Sequence, residues 1–330
     1  MLANHHVFGP LVRRVHAAAL AVVFAAGGGA AGAAQAGRDL SQTIEHGGIT
    51  RSYILHLPPA VAGAKLPMPL VIALHAGGGR AAGFARFTGF SALADKAGFA
   101  VVYPQGVERH WNDGRTRSGF RAHAENIDDV GFLVKVIAAL RGQHGISGEQ
   151  VYIAGAANGG IMAMRMACEA ADQIHGVAAV MANFPDRMRF RCAPKRPVSV
   201  LVMNGTVDPI VPWRGGEMRS GFRRLGKLLS TEATVEYWAA KNGCSDAPLL
   251  DRLPDKAPAD GTEVRRERYQ NCARGSRVVL YTIDRGGHTW PGGQQYQPEV
   301  TIGKVSRDIV AQDAIWAFFR TLPRGSAGSR

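Results

Sequence analysis

The chain has 330 residues, 46% of them hydrophobic, and a formal net charge of +13. That length allows one large α/β domain or two small ones, and the near-zero mean hydropathy indicates a soluble globular protein with ample core. A basic balance alone does not make a nucleic-acid binder: no recognition motif accompanies the charge, so nucleic acid is not an expected partner.

Read from the N-terminus, Arg13 and Arg14 precede an apolar run from Ala17 to Ala26 that is too short to span a bilayer. The run ends in small residues, and Ala34-Gln35-Ala36 offers an A-x-A cleavage site. Residues 1–36 therefore read as a signal peptide, for Sec or, from the arginine pair, twin-arginine export, and residues 37–330 as a single α/β domain without a membrane anchor. The expected destination is the periplasm or the cell exterior.

Beyond that segment, short apolar runs alternate with helix-like stretches, the pattern of a mostly parallel sheet with helices on both faces. Strands are predicted at Tyr53–Leu57, Leu70–Leu74, Ala100–Tyr103, Val151–Ala154, Val198–Met203 and Val278–Ile283. Helices are predicted at Phe90–Ala97, Asp129–Arg141, Gly159–Ala171, Thr231–Lys241 and Arg307–Leu322, with Gly98 and Asp128 as caps. Residues 244–275, rich in Pro, Asp and Arg, break the alternation and read as a loop or hairpin insertion.

The four cysteines, Cys168, Cys192, Cys244 and Cys272, suit an oxidising compartment. Three pairings are open to four cysteines. The neighbour pairing, Cys168–Cys192 with Cys244–Cys272, is favoured because each bridge closes a modest loop, and each would contribute roughly 3 kcal/mol. A zinc site lacks both a C-x-x-C pair and clustered histidines. Basic residues gather at 187–196 and at 219–227, a solvated surface or one suited to an anionic polymer or cell envelope.

The segment with most chemistry is Gly155-Ala156-Ala157-Asn158-Gly159, between a strand and an apolar helix. A strand, a Gly-flanked tight turn and a helix make a nucleophile elbow, whose pattern is G-x-S-x-G. Here the middle residue is Ala157, so the geometry is written but the hydroxyl is absent. His75-Ala76-Gly77-Gly78-Gly79 follows an earlier strand as an HGGG-type oxyanion loop, from which the N–H of Ala76 or Gly77 can join that of Asn158. A phosphate-binding loop would need the Lys-Ser/Thr ending this stretch lacks. Downstream, Asp208 in Asp-Pro-Ile-Val-Pro and His288 in Gly-Gly-His-Thr-Trp-Pro-Gly-Gly follow the elbow in the order nucleophile, acid, histidine. Asp208 would orient His288, and His288 would act as base and then acid. Trp111 and Trp290 are candidates to line the substrate site, with plain packing as the other reading. A glycosidase is disfavoured because no pair of carboxylates stands out.

Taken together, His75–Gly79, Trp111-Asn112-Asp113-Gly114-Arg115, Asp128–Phe132, the elbow, the Asp208 segment, Asn242-Gly243-Cys244 and the His288 segment resemble the secreted polyhydroxybutyrate-depolymerase/feruloyl-esterase (LpqC-like) family. The resemblance spans roughly residues 50–320 and implies an α/β-hydrolase fold, a Ser-His-Asp triad, an ester or polyester substrate, and neither metal nor organic cofactor. It expects serine at position 157 and commonly histidine at position 204, where this chain has Ala157 and Asn204.

No other residue of the elbow carries a hydroxyl or thiol. Losing such a nucleophile costs about 10⁶-fold in kcat, with ~10³–10⁴ over water remaining. Two explanations compete: a substituted form of an active esterase, as one would make to trap substrate, or a natural pseudo-hydrolase that binds an ester or polymer without turnover.

Overall fold

A computed structural model describes residues 37–59, 67–115 and 119–323. The candidate signal peptide, residues 1–36, lies outside the described residues. Chain order begins with β1 (Arg38–His46), β2 (Ile49–Leu57) and β3 (Met68–Leu74), then α1 (Ala81–Thr88), α2 (Phe90–Ala97) and β4 (Ala100–Pro104). It continues through α3 (Arg121–Ala124), α4 (Asp129–Leu140), β5 (Ile146–Ala156), α5 (Asn158–Glu169), β6 (Gly176–Val180) and β7 (Ser199–Gly205). The last third holds β8 (Gly216–Ser220), β9 (Arg223–Leu228), α6 (Thr231–Lys241), β10 (Asp246–Arg252), β11 (Glu263–Gln270), β12 (Val278–Asp284), α7 (Glu299–Ile302) and α8 (Ala311–Phe319).

Ten strands form one sheet in the order β1-β2-β4-β3-β5-β6-β7-β12-β11-β10. Pairing is parallel from β4 through β12 and antiparallel at both edges. The central strands are buried on both faces, which is why they read as continuous apolar runs. Along β3, Leu70, Ile72 and Leu74 enter the core on one face, while Val71 and Ala73 enter the core on the other. The first core takes in Phe132, Val136 and Leu140 of α4, the apolar residues of α5 and Trp238 of α6. The second takes in Phe84 of α1, Phe90 of α2, and Ile315 and Phe319 of α8.

Local signals act where the sequence placed them. Gly98 adopts φ 73° and its N–H closes α2 on Ala94. The Asp128 carboxylate accepts the Gly131 N–H at 2.8 Å and caps α4. Residues 244–275 are a hairpin: β10 and β11 extend the main sheet beyond β12. Disulfides join Cys168 to Cys192 and Cys244 to Cys272, the neighbour pairing. The first ties the last turn of α5 to the 186–191 segment; the second ties the residues after α6 to the end of β11. Strands β8 and β9 form a separate two-stranded ribbon. Among the described residues, no helix is long and apolar enough to cross a membrane.

Candidate active site

At the C-terminal end of β5 the chain turns sharply into α5, and Ala157 sits in that turn with φ 47° and ψ −116°. A residue with a Cβ is strained there, by about 1–3 kcal/mol. The turn is held because α5 must pack directly against the sheet. A Cβ at Gly159 would lie 2.2 Å from the Leu74 carbonyl oxygen, so only glycine admits that contact. The Ala157 N–H donates to Val180 O at 2.9 Å and its carbonyl accepts from Ile161 at 2.9 Å, fixing both sides of the bend.

Asn158 locks the elbow to the Trp-Asn-Asp-Gly-Arg loop. Its Oδ1 accepts the Trp111 N–H at 2.8 Å, and its Nδ2 donates to Trp111 O at 3.0 Å and Asp113 Oδ2 at 2.5 Å. Asp113 is fully buried between Arg115 and His123. Burial by itself would raise its carboxyl, but the Arg115 guanidinium and the His123 hydrogen bond win and hold it well below the usual carboxylate range. The motif therefore works as a charge-paired brace behind the elbow.

Against the other side of the elbow lies the candidate oxyanion loop, residues 75–79. The Gly77 backbone approaches closely enough that a Cβ there would meet the Asn158 Cβ at 3.5 Å. The N–H groups of Gly78 and Gly79 are taken by Arg109 O at 2.8 Å and Ala76 O at 2.9 Å. His75 anchors this loop from beneath. Its Nδ1 donates to Ala76 O at 2.9 Å, while Nε2 accepts from Gly106 N at 3.0 Å and Gln105 Nε2 at 3.1 Å. Burial, with a smaller effect from nearby His110, lowers the His75 imidazole to about 4.

The loops after β7 and β12 meet at the neighbouring end of the sheet. A Cβ on Gly205 would lie 2.2 Å from Gly286 O, so the two backbones touch. That contact brings Asp208 Oδ2 to 2.7 Å from His288 Nδ1. The other oxygen of Asp208 accepts the N–H groups of Ile210 and Val211, both at 2.8 Å. Both side chains are nearly buried, at 1% and 6% exposure. With Nδ1 committed to Asp208, the nitrogen left for a reacting group is Nε2. Tyr296 donates its hydroxyl to His288 O at 2.9 Å, and burial, reinforced by Asp208, pushes that phenol up to about 12.

Ala157, Asn158, His288, Ala76 and Gly77 all line one cavity of about 510 Å³. The fit of two expected substrate residues is different. Neither Trp111 nor Trp290 lines this cavity; both are fully buried. Trp111 packs in the core and donates its indole N–H to His75 O at 3.0 Å. Trp290 packs edge-on against Phe84 and Phe90 and bonds Gln312. Proximity in sequence to His288 did not give direction. The walls come instead from Phe84, Phe87, Met181, Tyr296 and the β8–β9 ribbon, whose Met218 and Leu225 face inward. Met181, at φ 55°, follows β6 in a strained turn, a position without a sequence signal. Asn204, next to the end of β7, bonds Ala182 through both its amide groups, holding the turn beyond Met181. Among the described residues, no three His, Cys, Asp or Glu side chains gather as a metal-ligand set.

This sheet order, elbow and loop arrangement define a scaffold of the α/β-hydrolase class. Residues 51–182 match the profile described as Esterase PHB depolymerase. Over 273 residues the chain is 34% identical to "Putative esterase NocK" of Nocardia uniformis subsp. tsuyamanensis, covering 81% of this chain and 78% of that protein. Feruloyl esterase B of Piromyces equi is 26% identical over 250 residues, 74% of this chain but only 44% of that longer protein. Among solved structures, an acetyl xylan esterase from Aspergillus awamori shares the fold at TM-score 0.50 and 12% identity, over 76% of this chain and 94% of that one. The chain belongs to the PHB-depolymerase esterase family.

Proposed function

We propose that this chain is the scaffold of an exported serine esterase whose site is complete except for the nucleophilic oxygen at position 157. The observation that carries this reading is the Asp208–His288 pair at 2.7 Å, with His288 in the wall of the same cavity that the elbow lines. With serine at position 157, His288 Nε2 would take the hydroxyl proton as the oxygen attacks the ester carbonyl. The tetrahedral oxyanion would be met by N–H groups of Asn158 and of Ala76 or Gly77. His288⁺, stabilised by Asp208, would then protonate the leaving alcohol, and water would release the acyl group by the same steps in reverse roles.

With Ala157 in place no acyl-enzyme forms, and turnover falls by about 10⁶. The cavity still offers apolar walls for a short-chain, hydroxyalkanoate or aromatic acyl group. The two disulfides fit an oxidising compartment, and residues 1–36 serve as the export signal. The test is an Ala157→Ser variant assayed beside the chain as written on a p-nitrophenyl ester series. The variant alone should turn over, and adding His288→Ala to it should abolish that activity. A folded Ala157→Ser variant that stays inert would refute the triad and leave ester binding without turnover, the pseudo-hydrolase reading, as the function.

A further inference from the structure

The outer face of the β8–β9 ribbon is unusually basic for a structure that also walls the cavity. Its inward residues, Met218 and Leu225, are buried against the site, while Arg219, Arg224 and Lys227 are exposed on the outer face and Arg223, opposite the cavity-lining Ser220, is exposed at the cavity's edge. In the ribbon's register Arg219 stands directly opposite Arg224. Like charges placed opposite each other across strands are destabilising, so this pair persists against a local penalty that a bound anion would remove. None of the four makes an ion pair among the described residues.

The charge continues on both sides of the ribbon. Arg223 lies over the Phe120 ring at 4.9 Å, and Phe120 lines the cavity, so that guanidinium stands at the mouth. Pro185 bridges to Leu228, which brings the 186–191 segment with exposed Arg187 and Arg191 alongside β9. Two acids share this face, and both are engaged: Asp186 with Arg189 at 3.3 Å, Glu217 with the Gly226 N–H at 3.0 Å. No Asp or Glu lines the cavity, whereas Arg80 does; Arg115, also in the lining, has its charge met by Asp113 behind it. At the ribbon tip Phe222 is fully exposed, and Phe190 is 76% exposed on the adjoining segment.

We propose that the β8–β9 ribbon and the 186–191 segment form a docking arm for an anionic, carboxylated polysaccharide that carries the ester entering the cavity. This rests on the esterase reading of the site above. An ester seated beneath Met218 and Leu225 must remain attached to a carrier that leaves past the ribbon, and the surface it crosses there is cationic. Guanidinium groups suit carboxylates, which they bind in a bidentate fork. Exposed phenylalanines give flat apolar faces for sugar rings. A narrow charged ribbon with one aromatic tip offers a hydrated chain a track, but gives little apolar area to bury in a bilayer.

The probe is sodium polygalacturonate, with neutral xylan and phosphatidylglycerol vesicles as comparators, and binding is read by affinity electrophoresis on the chain as written. Turnover does not enter, so loss of binding with an active Ala157→Ser variant would sink this inference alone. Polygalacturonate should retard the protein, neutral xylan should not, and raising salt to about 0.5 M should release it. An Arg219→Ala/Arg224→Ala/Lys227→Ala variant should bind about tenfold more weakly, the scale of a few lost charge-assisted contacts. Lys96→Ala/Arg320→Ala, on the α2/α8 layer, should leave binding unchanged. If the triple variant does not fold, Arg224→Ala alone relieves a like-charge pair and should still weaken binding about threefold. Undiminished binding by these folded ribbon variants, equal retention by neutral xylan, or capture by the vesicles in place of polygalacturonate overturns the proposal.

Discussion

Acidification should weaken this fold through one buried imidazole under the 75–79 loop. His75 is held neutral: its Nε2 accepts two N–H donors, from Gly106 and Gln105, so a proton there would face donors with no acceptor. Burial, the larger cause, and nearby His110 lower it to about 4. The unfolded chain binds that proton near an ordinary 6.5, as free histidine does. Between those values the unfolded state carries more protons than the folded one, so stability is complete above about pH 6.5 and is lost as pH falls toward 4. The linkage gives about 1.4 kcal/mol lost at pH 5.5 and about 3 kcal/mol at pH 4. Urea unfolding across that range measures it, with His75→Gln as the reference because its amide oxygen can accept from Gly106 and never titrates. His175, lowered to about 4 chiefly by burial, titrates in both proteins and cancels in the difference. The stability gap between parent and His75→Gln should therefore shift by about 3 kcal/mol between pH 7 and pH 4. Parallel pH curves for the two proteins would refute the argument.

Gly159→Ala should destabilise the protein by about 3 kcal/mol or prevent folding, because the added methyl meets the Leu74 carbonyl at 2.2 Å and neither backbone can retreat; thermal melting reads this, and a wild-type Tm would remove the close-packing account of the elbow. Reduction should be just as visible. Each disulfide closes a loop of 24 or 28 residues in sequence separation, worth about 3.5 kcal/mol in the chain-entropy account, so single Cys→Ser changes at Cys192 and Cys272 should each lower stability by that order in denaturant titrations.

What the sequence made legible was local or periodic. Strands β3, β7 and β12 and the 151–156 half of β5 are mostly apolar runs, and the Gly98 and Asp128 caps are short-range chemistry. The elbow, Asp208 and His288 could be read because each lies just after such a strand, where the sheet delivers them to one end. Strand β6 went unread since Gly176-Val-Ala-Ala-Val180 has few β-branched residues to mark it. The β8–β9 ribbon went unread for a different reason: its strands carry arginines on the outer face and only Met218, Leu225 and Leu228 within. The cavity walls depend on it and on Met181 and Tyr296, so they depend on tertiary placement that no local pattern encodes. Trp111 and Trp290 show the same limit in reverse. Both lie beside site residues in sequence, yet they point into the core and support the site from behind.

On the proposed esterase reading, the conformation of Ala157 bears on how the site came to lack a nucleophile. The turn at φ 47° is imposed by Gly159 against Leu74 and by the bonds to Val180 and Ile161, not by the side chain at position 157. Any residue with a Cβ is strained there by about 1–3 kcal/mol, and glycine would relieve most of that. A site kept only for binding has nothing to gain from a methyl at this position. Serine has a reason to bear the strain, since the turn is what presents its oxygen to the histidine and to the N–H groups of the oxyanion loop. Alanine in the same conformation keeps the strain without the oxygen, while Asp208, His288, His75 and the Asn158–Asp113 brace keep every hydrogen bond that would serve it. Drift of a pseudo-site has no cause to spare the Asp208–His288 pair and the braces around it, so on the proposed esterase reading this pattern favours a Ser→Ala exchange at position 157 over decay of the site.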